Sequence, residues 1–474
     1  MSDDKKNKVI KAGIGFLVGN YLIKGISFLM TPIFSRLLQP RDFGIFSSYT
    51  AYESMLYLFA GLTLHSCLKN AKYRYKDDYE NFCLNCLSVA VLSSLFLAGI
   101  VLLWNKQLVQ VTGFSKNILF LLVLHSFATA ICTFYNTYVS LEYNAKKYLK
   151  IAFLNAVSNM MLSLFLILFF FEEDKYVGRI IGTAFPLIVI ALFIFAGFFF
   201  RHKLKLRKEY IVFALGYSLP IIPHGLSQVI LGQADRLMIK EMAGSTEAGI
   251  YSLGYTLYTL IFLAANSIGN VWEPWFYERM NEKEYAPIKH NSIILISAVA
   301  IVTVVAFMIS PELIEILGGE GYEEAKRMVI PIILGGFFSF LYTIPAGVEY
   351  FYGKTKLIAV GSVLAAVINI ILNYLFIPLY GYHMAAYTTA VTYFLYFSFH
   401  YLFSILVNKG RCIFNSKGIG LIIGILLLCA WLADCLRNEA LVRWSIAVVL
   451  GVLFVISVWK FIFPVLKRKE VREA

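Results

Sequence analysis

Ionisable side chains inside long apolar segments are the residues of this sequence that could do chemistry. A Lys, Arg or Asp near the centre of such a segment costs about 2.5–3.5 kcal/mol to insert into a membrane, so it is retained where it faces protein or water. Cations there can bind anions, whereas carboxylates and imidazoles can exchange protons. The set comprises Lys24, Glu53, His65, His125, His224, Asp235, Arg236, Glu273, Glu349 and His400.

The cations of this set have competing interpretations. Lys24 is predicted to line a cavity, and the alternatives are snorkelling to the interface or a structural ion pair. Arg36 and Arg236 lie at the outer ends of their segments, where an interfacial anchor and a substrate contact are both consistent with the pattern. Lys24 and His224 are predicted to occupy corresponding positions.

The acids are candidates for coupling or gating. Glu53 and Asp235 lie within apolar segments, and Glu142 and Glu349 each precede a loop that contains lysines. For Glu142 and Glu349 the alternative is capping of an inner helix end against those lysines. The histidines at 65, 125 and 400 are typical of satisfied core residues rather than proton relays.

The elements that must position these residues are long apolar runs, which are separated by charged residues or by Pro and Gly. The chain has 474 residues, of which 59% are hydrophobic and 15% charged, whereas soluble domains average about half apolar and about a quarter charged. An all-α integral membrane protein with about 14 membrane-spanning helices is therefore predicted. The predicted spans are 11–35, 43–67, 82–104, 117–140, 151–171, 177–200, 210–234, 247–272, 291–309, 327–350, 357–377, 383–407, 418–436 and 441–463.

Lys and Arg are unevenly distributed between the predicted loops. With the N-terminus inside, the cytoplasmic segments hold more than twice as many of these cations as the external loops, and such a surplus marks the cytoplasmic side. Both termini are therefore predicted to be cytoplasmic. The basic run 201–208 is interpreted as a topological anchor, with binding of anionic lipid as the alternative. The net charge of +13 has the same origin, so no nucleic-acid partner is expected.

Segments of the two halves match at an offset of about 200 residues. The coinciding positions are Gly25 and Gly225, Ser27 and Ser227, Arg36 and Arg236, then Gly44 and Gly249, and Glu142 and Glu349. The unit contains an even number of spans, so the copies are predicted to be parallel six-helix repeats. They form an N-terminal lobe at 1–200 and a C-terminal lobe at 201–407, followed by two additional helices at 408–474. Gly and Pro residues in the first and seventh spans are predicted to break these helices beside the substrate path.

Motifs for catalysis and cofactors are missing from the sequence. It has no H-E-x-x-H or G-x-S-x-G motif, and Cys83-x-x-Cys86 lacks the second pair that a zinc site needs. No metal or other cofactor is expected. The external loops are too short to hold a glycan and catalytic groups, so the protein is not expected to be an enzyme.

Four segments of the chain resemble those of a known protein family. They are residues 19–47, 216–255, 270–280 and 377–393, which begin GNYLIKGISFL, GYSLPIIPHGL, NVWEPWFYERM and IPLYGYHMAAY. They resemble polysaccharide biosynthesis flippases, the Wzx-like transporters of the multidrug/oligosaccharidyl-lipid/polysaccharide superfamily. The likeness covers nearly the whole chain.

The resemblance implies a bilobed, MATE-like bundle with a central cavity. It implies that an undecaprenyl-diphosphate-linked oligosaccharide is moved from the inner to the outer leaflet of the bacterial plasma membrane, for O-antigen, capsule or exopolysaccharide synthesis. In this family cationic cavity residues receive the diphosphate and glycan, and Lys24, Arg36 and Arg236 fit that role. His224 stands where a hydrophobic or small residue is usual. The expected partners are the lipid-linked glycan, membrane lipids and a coupling proton or sodium ion.

Two other functions remain open from the sequence. An ion-coupled multidrug or toxin exporter of the same superfamily would share the fold, but cationic drugs favour acidic cavities and Lys24 argues against one. A membrane-embedded glycan polymerase is disfavoured by the short external loops.

Overall fold

The computed structural model describes residues 15, 19, 25, 26 and 28–453, with the backbone alone at 264, 266–268, 270 and 271. This part of the chain is helical and contains no β-strand. It divides into two compact units, residues 1–249 and 250–474. Lys24 and the start of the predicted first span lie outside the described residues.

The first unit is built from ten helices and the start of an eleventh in its described part. They are α1 (Phe28–Leu37), α2 (Pro40–Ala60), α3 (Leu68–Arg74), α4 (Tyr79–Leu103), α5 (Asn105–Thr112), α6 (Lys116–Leu141), α7 (Ala145–Phe169), α8 (Lys175–Arg201), α9 (Lys208–Ser218), α10 (Ile222–Met242) and α11 (Ser245–Asn281), the last of which continues into the second unit. Short 3-10 turns lie at Leu64–Cys67, Lys76–Asp78 and Leu219–Ile221.

The second unit continues from α11 with seven further helices among the described residues. They are α12 (Tyr285–Gly318), α13 (Val329–Leu341), α14 (Thr343–Phe351), α15 (Thr355–Tyr380), α16 (Met384–Val407), α17 (Ser416–Cys435) and α18 (Ala440–Leu453). A 3-10 turn, Glu323–Arg327, precedes α13.

Local sequence explains several helix ends. The Ser115 hydroxyl accepts a hydrogen bond from the Ile118 N–H at the start of α6, and the Asn144 side chain accepts one from the Lys147 N–H at the start of α7. Such side chains satisfy the donors that a first helical turn leaves unpaired. Gly113 ends α5 at φ +71°, a left-handed conformation that glycine adopts without steric cost.

Ten of the described helical segments are long and apolar enough to cross a membrane, which confirms a multi-pass membrane protein. They correspond to ten of the predicted spans. Helices α2 and α11, at the predicted spans 43–67 and 247–272, are not among these ten. The count of fourteen spans and the orientation of the termini stay predictions.

Two of the predicted spans that correspond to these ten segments are interrupted. The predicted break in span 210–234 is seen as the 3-10 turn between α9 and α10, beside Pro220 and Pro223. Span 327–350 is also divided, into α13 and α14, at Tyr342. Proline removes a backbone donor and clashes with the preceding turn, which accounts for the first interruption.

Two glycines that the repeat alignment pairs lie against each other. A Cβ atom added to Gly44 would lie 1.8 Å from the Ser245 carbonyl oxygen, and one added to Gly249 would lie 1.9 Å from the Pro40 carbonyl oxygen. The start of α2 therefore crosses the start of α11 in direct backbone contact. The compact units are defined by packing and not by sequence repetition, so the lobes 1–200, 201–407 and 408–474 stay a prediction.

Candidate functional site

A buried carboxylate–imidazole pair lies in the second unit. The Oε1 atom of Glu349 on α14 is 2.8 Å from the Nδ1 atom of His400 on α16, and both side chains are fully buried. Among the described residues, neither Glu349 Oε2 nor His400 Nε2 has a hydrogen-bond partner. Each side chain of the pair therefore has one polar atom without a partner among the described residues.

Aromatic rings and a glycine position this pair. The ring of Tyr396 lies 4.6 Å and that of Tyr342 5.7 Å from the His400 imidazole, centroid to centroid. A Cβ atom added to Gly361 on α15 would lie 3.1 Å from His400 Nε2. The unpartnered nitrogen thus faces the backbone of α15, and the rings pack around the imidazole.

The chemistry of the pair follows from its burial. A carboxylate beside a neutral imidazole carries one negative charge, and uptake of one proton makes the pair neutral overall. A buried net charge is costly in a low-dielectric interior, and the hydrogen bond between the two side chains offsets part of that cost. The arrangement thus places a carboxylate and an imidazole, two kinds of side chain that exchange protons, in one buried contact.

This environment corrects one interpretation of Glu349. Capping of an inner helix end against lysine is wrong for this residue, because its carboxylate contacts His400. His400 is buried, as expected, but its Nε2 has no hydrogen-bond partner among the described residues, so the expectation of a satisfied core histidine is met only in part. Glu142, which the repeat alignment pairs with Glu349, is exposed at the C-terminal end of α6.

The predicted cations of the first unit lie in different settings. Arg36 is exposed, and its Nη1 donates to the Pro32 carbonyl at 2.9 Å. Arg236 is half-buried on α10 and donates to the Gln233 side chain. His224, also half-buried, lies on the same helix, about 18 Å from Arg236 along the axis at 1.5 Å per residue.

The remaining predicted acids are both at least partly buried. Asp235 on α10 is 1% exposed. Glu53 is half-buried on α2, with one carboxylate oxygen that has no hydrogen-bond partner among the described residues, and with the Thr129 side chain in hydrogen-bonding reach of the carboxylate. Among the described residues, no group of three or more His, Cys, Asp or Glu side chains is placed to hold a metal ion.

Sequence reasoning missed a cation inside α8. The Arg179 Nη1 donates to Asn159 Oδ1 at 2.7 Å and to Ser163 Oγ at 2.8 Å, both on α7. Its guanidinium also lies 3.7 Å from the ring centroid of Phe34 and 4.9 Å from that of Phe46. No described carboxylate pairs with it, so aromatic faces and neutral oxygens stabilise the charge. Its place inside the predicted span 177–200 was the signal that could have identified it.

Two further cations were missed. Lys240, on α10, donates to the Thr112 carbonyl at 2.6 Å and lies 4.5 Å from the Phe114 ring centroid. Arg443, on α18, is 2% exposed and bonds both carboxylate oxygens of Glu312 on α12. These contacts fix helices to their neighbours within each unit.

Known proteins share the sequence pattern and the fold. A family profile described as polysaccharide biosynthesis protein matches residues 9–280, more than half of the chain, and a MatE profile matches residues 220–375. The chain is similar to Lsg locus putative protein 1 of Haemophilus influenzae, with 26% identity over 378 residues that cover 77% of this chain and 90% of that protein.

Solved structures extend the likeness at the level of fold. The lipid II flippase MurJ, in an inward closed conformation, has a TM-score of 0.66 and 14% identity, with 92% of this chain and all 100% of that chain covered. A multidrug resistance MATE family transporter of the MOP superfamily, inward-facing, has a TM-score of 0.62 and 15% identity, with 81% and 95% covered. The long family match and these folds lead to one conclusion: the chain belongs to the polysaccharide biosynthesis protein family and has a MATE-like fold.

Proposed function

We propose that the protein flips an undecaprenyl-diphosphate-linked oligosaccharide from the inner to the outer leaflet of the bacterial plasma membrane. The observation that carries this proposal is the shortness of the connections between helices in a member of a polysaccharide biosynthesis family. The longest described connection, 319–328, includes a 3-10 turn. A polymerase needs extramembranous residues that hold a glycan and catalytic groups, whereas translocation needs a path lined by helices.

The test is the leaflet in which the lipid-linked glycan accumulates. In a strain depleted of the protein, the glycan lipid is expected to stay accessible from the cytoplasmic side alone. Accessibility to a membrane-impermeant glycan-modifying reagent, in intact cells and in inverted vesicles, measures this. Normal outer-leaflet delivery with increased drug susceptibility would contradict the proposal and favour a multidrug exporter.

Substrate binding is assigned to the predicted cations Lys24, Arg36 and Arg236, together with His224. A cation in a low-dielectric site attracts a diphosphate more strongly than one in water, because the Coulomb energy scales inversely with the dielectric constant. Lys24→Ala is expected to abolish translocation while the protein accumulates normally, and Lys24→Arg to retain part of it. Wild-type transport by Lys24→Ala, or loss of the protein itself, would contradict this role.

Coupling is assigned to the Glu349–His400 pair, with a proton as the coupling ion. Hard cations prefer oxygen ligands, and a pair with one imidazole and one carboxylate suits a proton better than sodium. Because the pair changes between one negative charge and neutrality, its two states differ electrostatically inside the unit. Glu53, Asp235 and Glu142 are the further acids proposed for coupling or gating.

Glu349→Gln tests the coupling assignment. The amide keeps the shape of the side chain but cannot take up a proton, so transport in vesicles with an imposed proton gradient is expected to fall at least about tenfold, or about 1.4 kcal/mol. His125→Gln is the matched control, because His125 is also buried but bonds the Tyr49 hydroxyl at 3.2 Å instead of a carboxylate. Equal gradient dependence in Glu349→Gln and wild type would contradict the assignment.

A further inference from the structure

A groove on the surface of the first unit combines an apolar floor with a basic end. It has a volume of about 390 Å³ and is formed by α6, α7 and α8. We name it the α7–α8 groove. Its apolar lining residues are Ile151, Leu154, Ile190, Phe193, Ile194, Gly197 and Phe198.

The floor of the α7–α8 groove is accessible. Leu154 is 52% and Phe193 76% exposed. A Cβ atom added to Gly197 would have nothing within 4 Å. Because α7 and α8 are both long and apolar enough to span a membrane, this exposed apolar floor suits a lipid acyl chain.

The basic end lies where α7 begins and α8 ends. Lys147 is in the first turn of α7, Arg201 is the last residue of α8, and His202 follows it. Arg201 is exposed and forms no ion pair with a described residue. The Lys147 ammonium lies 5.1 Å from the Tyr135 ring centroid, which directs it over the groove.

One carboxylate, Glu80, also lines this end. Its Oε1 accepts a hydrogen bond from the Tyr138 hydroxyl at 2.7 Å, and its Oε2 is 3.8 Å from His202 Nε2. Its single negative charge stands against the two positive charges of Lys147 and Arg201, so this end of the groove keeps an excess of one positive charge. The N-terminal end of α7 adds a partial positive charge.

A polar cleft of about 680 Å³ continues from this end and shares Glu80, Arg201 and His202 with it. It adds lysines and acids, namely Lys72, Lys76, Lys203, Lys205, Asp77, Asp78 and Glu142. Asp78 accepts hydrogen bonds from the Tyr210 hydroxyl at 2.6 Å and from Asn81 at 3.1 Å. Its charge is thus engaged within the protein.

The basic segment after α8 is held in place by two asparagines of α4. Asn81 Oδ1 accepts from the Lys205 N–H at 2.9 Å, and Asn85 Oδ1 accepts from the Arg207 N–H at 3.0 Å. Asn85 Nδ2 also donates to the Lys205 carbonyl at 3.0 Å. The backbone of a freely solvated topological anchor would not need such fixation.

We propose that the α7–α8 groove is a binding site for an anionic diacyl phospholipid. One acyl chain lies along the apolar floor, and the phosphate contacts Lys147 and Arg201. The apolar floor and the excess positive charge at one end match the two parts of such a lipid, and clustered cations at a membrane surface attract anionic headgroups. A zwitterionic lipid would gain little from the excess charge.

The experiment uses the full-length protein, purified and delipidated in detergent, with phosphatidylglycerol and phosphatidylcholine as probes. Native mass spectrometry counts bound lipid, and thermal unfolding reports its effect. Phosphatidylglycerol is expected to bind at least fivefold more tightly than phosphatidylcholine and to raise the unfolding midpoint. Equal binding of the two lipids would overturn the proposal.

Two kinds of variant locate the binding. Lys147→Ala combined with Arg201→Ala is expected to remove the preference for phosphatidylglycerol, whereas Lys106→Ala combined with Lys116→Ala removes the same charge elsewhere and should keep it. Gly197→Trp adds a large side chain to the floor, at a position where an added Cβ atom meets nothing within 4 Å, and should lower phosphatidylglycerol binding at least threefold with the cations intact.

Two further outcomes would also overturn the proposed lipid site. Loss of the preference in both double variants would identify a nonspecific charge effect and overturn the site. Competition by soluble glycerol phosphate as strong as that by the lipid would show recognition of free phosphate alone, and would also overturn it. These readouts measure binding, so they do not depend on transport.

Discussion

Helices α7 and α8 of the first unit pack along a seam that contains polar residues, and so do helices α15 and α16 of the second unit. Asn159 and Asn369 are about 210 residues apart, as are Ser163 and Asn373, and Arg179 and Thr388 are about 209 apart. Both seams are thus polar where a membrane protein is otherwise apolar.

The first seam contains a cation and the second does not. Arg179 donates to Asn159 and Ser163 across the first seam. In the second, the Thr388 hydroxyl donates to Asn373 Oδ1, and Asn369 Nδ2 donates to Thr389 Oγ1 at 3.2 Å. The second network is neutral and fully buried.

The seams also differ in how closely their helices approach. A Cβ atom added to Gly182 on α8 would lie 2.5 Å from the Ser163 Cα, so the backbones touch there. In the second seam, a Cβ atom added to Gly361 on α15 would lie 2.8 Å from the side chain of Phe399 on α16, so a side chain and not the backbone fills that contact. Small residues allow close helix packing, and polar side chains join helices in membranes. The two seams combine small residues and polar side chains in different proportions.

Gly182→Leu is expected to break the first seam and to have the largest effect. The side chain would overlap the backbone of α7 at Ser163, so the helices must separate and Arg179 loses an acceptor. We expect a loss of about 3 kcal/mol in unfolding free energy, measured as a drop in the thermal midpoint in detergent. Gly197→Leu, on the same helix with open space, is the control. Equal midpoints for the two variants would show that the seam does not depend on backbone contact.

Arg179→Ala is expected to cost about 2 kcal/mol, because Asn159 loses its donor and the rings of Phe34 and Phe46 lose their cation. Arg179→Met fills the volume and removes the buried charge, so its cost should be smaller. The same midpoint measurement decides the order. A larger loss for Met than for Ala would contradict the expectation that an apolar side chain of similar volume fits this site.

Thr388→Val should have the smallest effect, about 0.6 kcal/mol, since hydrogen bonds between membrane helices average that much. The substitution removes the donor to Asn373 but preserves the shape of the side chain. Its comparison with Arg179→Ala sharpens the contrast between a neutral and a charged seam. A loss from Thr388→Val that matched or exceeded that of Arg179→Ala would remove the contrast.

The candidate site shows where sequence reasoning stops. Glu349 and His400 were each identified as ionisable residues inside apolar runs. Nothing in the sequence pattern indicated that the two side chains contact each other. Their contact spans 51 residues along the chain, and it requires α14 and α16 to present the correct faces to each other. Arg179 is also an ionisable group inside a predicted span, so the same criterion could have identified it. Its partners on α7 could not have been identified in this way, because they depend on helix packing.

The sequence by itself determined the membrane class, the helical secondary structure and most segment positions. The physical reason is that a chain in hydrocarbon must satisfy its backbone hydrogen bonds internally, so each long apolar run becomes a helix. The tertiary structure alone decided which polar groups are paired: Glu349 with His400, Arg179 with Asn159 and Ser163, and Arg443 with Glu312. The hydropathy pattern does not indicate how a helix is rotated or which helices it contacts, because both are set by side-chain packing across long sequence distances.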